Sequence, residues 1–259
     1  FDYSAYDREI CLITSELSGF VKETQPDEWE KLSQSYGAET ESRFCKIVSE
    51  EARKKGLISV LRGEIKHRGI HFKLCYFEPK SGLNPEHQKL FQSNRLAVVR
   101  QLHYSTKNEN SIDLVLFLNG LPVLTIELKN QLTGQTVKHA IKQYKKDRRP
   151  AGEPLLQFKR CLVHFAVDQD LVYMATRLSG KGTLFLPFNK GIKNPINPNG
   201  VKTAYLWEDI LTPNSLLDIL ENFVHVSRET EMVYNETTKE VEEKRSDVLI
   251  FPRYHQLDV

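Results

Sequence analysis

The apolar positions of this chain change period several times, and each change predicts an element. Residues 5–22, with "CLITSEL" and "GFVKE", have a spacing that suits a helix. Pro26 sits where a second helix would begin, carrying Trp29 and Leu32. Residues 39–55 put Phe44, Ile47 and Val48 on one helical face, and Gly56 is a natural stop. "LISVLRG", "HFKLCYF" and "RLAVVRQLHYS" read as strands. Residues 111–130, "SIDLVLFLNGLPVLTIELKN", read as a hairpin, and 135–148 as a helix ended by Pro150. "CLVHFAVDQDLVYMAT" gives two short strands about a turn, and 189–200 is a loop by composition. "WEDILTPNSLLDILENFVHV" supplies one or two amphipathic helices. Residues 229–247 are charged and poor in core residues, the pattern of a solvated helix or linker, before the chain turns apolar again at 248–259. The pattern predicts an α/β fold whose sheet lies mostly between residues 57 and 187, with no internal repeat.

The hairpin poses a question, because it buries three charged residues, Asp113, Glu127 and Lys129, in apolar sequence. A two-residue type I′ turn at Asn119-Gly120 puts Leu118 opposite Leu121 and Asp113 opposite Ile126, and mixes charge with apolar residues on both faces. A three-residue loop, 119–121, with a bulge at the turn, pairs Leu118 with Pro122 and Asp113 with Glu127 instead. One face then becomes wholly apolar: Ile112, Leu114, Leu116, Leu118, Leu124, Ile126 and Leu128. The other carries Val115, Phe117, Val123 and Thr125, with the three charged residues grouped at the far end. Because a one-residue slip flips every side chain, the apolar pattern selects the second register. Opposed Cβ atoms lie about 4.5–5.5 Å apart, so two ionised carboxylates there repel unless a cation lies between them. Magnesium suits such a pair, as it takes carboxylate oxygens and completes its shell with water and phosphate oxygens. Lys129, about 6.5–7 Å along the same face, can steady a water or the charge that develops when phosphorus is attacked. The alternative is a surface ion-pair cluster in which Lys129 neutralises Glu127.

Composition adds little. The 259 residues carry a net charge of +2, so affinity for nucleic acid must come from local patches. Four scattered cysteines, Cys11, Cys45, Cys75 and Cys161, form no CxxC pair and fit reduced thiols in the cytoplasm. No run approaches a membrane span, and no secretory signal opens the sequence, which begins at Phe1.

Asp113 followed by Glu127-Leu128-Lys129 on a hairpin resembles the PD-(D/E)xK nuclease motif. The words "DLVLFLNGLPVLTIELKN", "AIKQYKKDRRP", "VHFAVDQDLVYMAT", "FLPFNKG" and "FPRYHQLDV" are similar to the amino-terminal nuclease region of the restriction (R) subunit of type I restriction–modification enzymes. The resemblance implies a restriction-endonuclease-like core, a central mixed β-sheet flanked by helices, with extra helices at both ends. It implies Mg²⁺-dependent cleavage of double-stranded DNA, with Asp113 and Glu127 as metal carboxylates and Lys129 as the catalytic lysine. The implied partners are methyltransferase and specificity subunits and an ATP-driven translocase on the same polypeptide. No GxxxxGK[ST] phosphate loop occurs in the sequence, so ATP would enter only through a motor beyond it. The expected organisation is a nuclease domain over 1–228, a charged connector over 229–247 and the start of a motor at 248–259, where Gln256 is a candidate nucleotide-proximal residue. The family often carries QxxxY on the helix after the hairpin. Gln143 matches and is expected to position the site or contact DNA, but the residue four on is Asp147, with Tyr144 adjacent to the glutamine. An early-helix glutamate, Glu41 or Glu50, is a further candidate.

Lys142, Lys145, Lys146, Arg148 and Arg149 crowd the end of that helix, where cations also gain from the dipole. Their closeness to the hairpin favours phosphate contact, with Tyr144 available to stack on a sugar or base. Arg62 and Lys66 are a second candidate pair. His164 is expected to be a hydrogen-bonded core residue, and "FLPFNKG" a turn that buttresses the sheet. Two other readings stay open: a non-catalytic DNA-binding or docking module of the same fold, and a standalone repair or junction-resolving nuclease.

Overall fold

A computed structural model describes residues 5–235 and 239–257. The chain opens with a two-stranded ribbon, β1 (Tyr6–Asp7) and β2 (Leu12–Ile13), and four helices: α1 (Thr14–Thr24), α2 (Pro26–Tyr36), α3 (Thr40–Lys55) and α4 (Leu57–Arg62). A small hairpin of β3 (Ile65–His67) and β4 (Ile70–Phe72) and helix α5 (Pro85–Gln92) lead into the main sheet. Its strands are β5 (Leu96–His103), β6 (Ser111–Leu118), β7 (Leu121–Leu128), β8 (Val163–Val167), β9 (Val172–Ala175) and β10 (Leu186–Pro187). Helix α6 (Val137–Lys146) joins β7 to β8. After the sheet come a π-helical turn (Leu206–Ile210), α7 (Pro213–Asp218), a hairpin of β11 (His225–Asn235) and β12 (Glu240–Ile250), and α8 (Tyr254–Leu257).

The six strands lie in the order β10-β9-β8-β7-β6-β5. All neighbours are antiparallel except β7 and β8, whose parallel pairing needs a crossover, which α6 supplies. This is an α/β fold with a mixed central sheet flanked by helices, as a restriction-endonuclease-like core requires. One apolar layer packs α1, α3 and α4 on the sheet face carrying Leu116, Leu124, Val163 and Phe165. The other packs Val137, Ala140 and Tyr144 of α6 against Val115, Phe117 and Ala166. Those three residues of α6 are spaced i, i+3, i+7, a single helical stripe.

Several local expectations are corrected. Residues 5–13 are ribbon rather than helix, and "LISVLR" is α4 rather than a strand: Leu57, Ile58, Val60 and Leu61 are buried while Ser59 and Arg62, three apart, are exposed, a helical spacing too short to stand out in the sequence. Of residues 229–247, those of 229–235 and 240–247 lie in the strands of the β11–β12 hairpin, with Arg228 opposite Asp247 and Tyr234 opposite Val241, and 236–238 lie outside the described residues. Within 248–257, Leu249, Phe251 and Tyr254 are buried in the first layer, which leaves the expected domain division untouched, and residues 258–259 lie outside the described residues. "FLPFNKG" does buttress the sheet. Phe188 packs edge-on against Phe165 at 5.3 Å and Tyr254 at 6.1 Å, and Lys190 lies 5.1 and 5.5 Å over the rings of Tyr205 and Tyr254.

The β6–β7 hairpin reaches the expected frame by another route. Asn119 (φ 50°) and Gly120 (φ 79°) make a two-residue turn, with Leu118 opposite Leu121 and Phe117 opposite Pro122. The register then shifts, Leu116 pairing with Leu124, so Val123 is an extra residue. Pro122, which has no N–H to give the ladder, sits beside this bulge. Val123 consequently joins Leu124 in the first layer instead of facing away from it. Beyond the bulge Leu114 pairs with Ile126, the frame that sets Asp113 opposite Glu127.

Candidate active site

Asp113 and Glu127 lie where the ladder becomes irregular. Gln101 on β5 has φ 48°, and the pairing with β6 skips from Arg100–Leu114 to Leu102–Ile112. Val99 and Leu102, three residues apart, both enter the second layer, and Ile112 goes with them rather than to the face expected for it. The irregularity frees groups that hold Asp113. Gln101 Nε2 donates to Asp113 Oδ1 at 2.9 Å, and the Leu128 backbone N–H donates to Oδ2 at 2.8 Å. Ser111 Oγ in turn donates to Gln101 Oε1 at 3.0 Å.

Glu127 is fully buried on β7, between β6 and β8. Arg148 Nε donates to its Oε1 at 2.7 Å, whereas its Oε2 is buried without a hydrogen-bond partner. Burial pushes the Glu127 carboxyl up to about 7; Arg148 works against that rise, and Asp113 adds to it by charge and by contact. Lys129 is partly buried one step past the strand, its backbone N–H bonded to the Val167 carbonyl at 2.8 Å. Among the described residues its ammonium has no ion-pair partner. The cation that neutralises Glu127 is therefore Arg148, not Lys129.

The geometry separates the other candidates. Tyr144 is fully buried: its hydroxyl bonds Thr125 Oγ1 at 2.8 Å, and Thr125 bonds His164 Nδ1 at 2.7 Å. Arg148 is 6 % exposed and also donates through Nη2 to the Ser111 carbonyl at 2.6 Å. The expectation of DNA contact is corrected for both, because a side chain closed to solvent cannot meet a phosphate or a base. Lys142, Lys146 and Arg149 are exposed, Lys145 partly so, and all four remain available. Gln143 is partly buried. Its carbonyl accepts from Asp147 and Arg148 at 2.8 and 3.2 Å, and no hydrogen bond joins its side chain to the carboxylates. Asp147 is the exposed C-cap of α6.

Glu41 pairs with Lys22 at 2.9 Å, and Glu50 is exposed on the same helix, α3, which packs in the first layer, opposite the face of Glu127. Arg62 donates to the Leu220 carbonyl at 2.8 Å, an anchor between helices, while Lys66 is exposed. His139 accepts from the Thr136 N–H at the start of α6, and His103 bonds Glu109. Gln256 accepts from the Arg253 N–H at 2.8 Å, a local cap of α8. His164 is a buried, hydrogen-bonded core residue whose pKa burial lowers to about 3. The four cysteines are free and buried.

Sequence reasoning missed Gln101, Thr125 and the inward role of Arg148. Gln101 carries no local signal, since only its positive φ brings it to Asp113. Arg148 was legible as a cation after α6 but not as one turned inward.

The family described as type I restriction enzyme R protein N terminus matches residues 27–183, more than half of the chain. The chain belongs to that family. No curated protein matches the sequence. The span matched to the R protein N terminus contains the whole β5–β9 sheet, α6, Asp113, Glu127 and Lys129. Among the described residues no helix is long and apolar enough to cross a membrane.

The donors around the pair suit a divalent cation only in part. Among the described residues no group of three or more His, Cys, Asp or Glu side chains is placed to hold a metal. The pair itself offers hard oxygens and one bare, buried oxygen, Glu127 Oε2. Mg²⁺ commonly uses one or two carboxylates and completes its shell with water and phosphate oxygens, so the donor set fits that ion.

Proposed function

We propose that this domain is the Mg²⁺-dependent DNA endonuclease of a type I restriction enzyme R subunit. One observation carries the reading: Glu127 Oε2 is buried, unpartnered and set beside Asp113. Two carboxylates so placed need either a shared proton or a cation. Asp113 and Glu127 are the residues that would hold Mg²⁺. When bound, the ion offsets charge on the scissile phosphate and polarises a water. Asp113 is fixed for this by Gln101 and the Leu128 N–H. Lys129 donates a hydrogen bond to the attacking water or to the charge developing on phosphorus. Gln143, at the end of α6, positions DNA near the site. Lys142, Lys145, Lys146 and Arg149 contact the DNA backbone without reading sequence. Specificity comes from methyltransferase and specificity subunits, and ATP acts through a translocase on the same polypeptide, in the cytoplasm.

The test is made in the complete enzyme. Asp113→Ala, Glu127→Ala and Lys129→Ala should each lower DNA cleavage at least ~100-fold while DNA-stimulated ATP hydrolysis persists. Undiminished cleavage in any of the three overturns that residue's assignment. A second reading draws on Glu127 being closed to solvent and already paired with Arg148: a docking module that keeps the fold without the chemistry. It predicts full cleavage in all three variants.

A further inference from the structure

Arg148 reaches the carboxylate pair from beyond the end of α6, and its guanidinium is held on several sides. Nε donates to Glu127 Oε1 at 2.7 Å and Nη2 to the Ser111 carbonyl at 2.6 Å. Its central carbon lies 5.8 Å from the centre of the Tyr104 ring. The Arg148 backbone N–H is tied to the Gln143 carbonyl at 3.2 Å, so the root of the side chain is fixed as well. Ser111 belongs to β6, two residues before Asp113, and Glu127 belongs to β7. One rigid plane therefore spans the two strands that carry the carboxylates. Burial and the Arg148 bond at Oε1, from a guanidinium itself held by Ser111, together restrict how the Glu127 carboxylate can turn and so narrow the directions open to its second oxygen.

We infer that Arg148 is a positioning residue for the cation site: it locks the Glu127 carboxylate through Oε1 so that Oε2 is presented, bare, to an ion shared with Asp113. It touches neither DNA nor the reacting phosphate. The inference rests on the metal reading given above. It differs from a bare counter-charge role, in which any cation at position 148 would serve. A lysine there keeps the charge but offers a point donor that cannot span Glu127 and Ser111 in one plane.

The test is a calorimetric titration of Mn²⁺ alone into the wild type, Arg148→Lys, Arg148→Ala and Asp113→Ala, each with its metal-free unfolding midpoint. Arg148→Lys should unfold within a few degrees of wild type yet bind Mn²⁺ roughly 10–100-fold more weakly, the usual effect of losing an outer-shell partner. Arg148→Ala leaves a buried carboxylate without its partner and is expected to be unstable, so Arg148→Lys carries the comparison. Should Arg148→Lys not fold, Arg148→Gln, with one amide donor, is expected to weaken binding likewise. Wild-type affinity in Arg148→Lys, with binding lost in Asp113→Ala, would overturn the positioning role alone. Absence of binding in the wild type overturns the metal reading and this inference with it.

Discussion

Arg148 Nε and Glu127 Oε1 are 2.7 Å apart, both side chains are inside the protein, and the second oxygen of that glutamate has no partner. The pair is half of a structural ion bridge and half of something unfinished. A buried salt bridge is weak evidence of stabilisation, because the desolvation of its members rivals their attraction. The unfinished half has measurable consequences.

In the metal-free protein Glu127 should contribute a loss of stability as pH rises, read as the difference between the wild type and Asp113→Asn. The Glu127 carboxyl is raised from its ordinary range to about 7 in the folded state, so the folded protein holds a proton there that the unfolded chain has released. That contribution is complete below about 4.5 and disappears as pH climbs to about 7. Asp113→Asn removes a neighbouring charge and should flatten the loss. Unfolding midpoints in a chelating buffer from pH 5 to 8 check this, and equal slopes in the two proteins would contradict it.

His164 acts in the opposite direction. Its folded pKa is lowered to about 3 by burial, so stability falls once pH drops below about 6.5, where the unfolded imidazole takes a proton that the folded one refuses. Thr125→Val deletes the hydroxyl between Tyr144 and His164 and leaves both facing an apolar group. It should cost roughly 1–3 kcal/mol in denaturant unfolding. Tyr144→Phe should cost about 1 kcal/mol and leave DNA affinity unchanged, since the ring is fully buried.

Gly120 cannot be replaced cheaply. A Cβ there would lie 2.5 Å from the Ile13 carbonyl oxygen, at φ 79°. Gly120→Ala should destabilise by roughly 2–3 kcal/mol. A loss below ~0.5 kcal/mol in denaturant unfolding would show that the turn moves freely away from α1.

The exposed cations on and after α6 should behave as phosphate contacts. Lys142→Ala, Lys146→Ala and Arg149→Ala should each weaken duplex binding irrespective of sequence, and each should lower the slope of log affinity against log salt by about 0.9. Slopes unchanged in all three would remove this surface from the DNA path.

The fold class was legible because β6, β7 and α6 have strong and different periods. The frame that opposes Asp113 and Glu127 was legible too, since only one register gives a face without charge. Its cause was not. A two-residue turn followed by a bulge at Val123 restores the same frame as a three-residue loop, and apolar alternation cannot distinguish them. The β11–β12 hairpin was hidden for the opposite reason: charged residues interrupt both strands and Met232, Tyr234 and Val241 are exposed, so no alternating buried stripe marks them. At the site, the carboxylates could be read but their holders could not. Gln101 depends on one positive φ, and Arg148 and Arg149 are adjacent arginines of which only the first turns inward.

The most direct measurement is an anomalous difference map from crystals of the wild-type domain soaked in Mn²⁺. One peak is expected within coordination distance of Asp113 and Glu127 Oε2, with Arg148 still on Oε1. No peak there at saturating Mn²⁺, with the two carboxylates and Arg148 as they stand now, would contradict it.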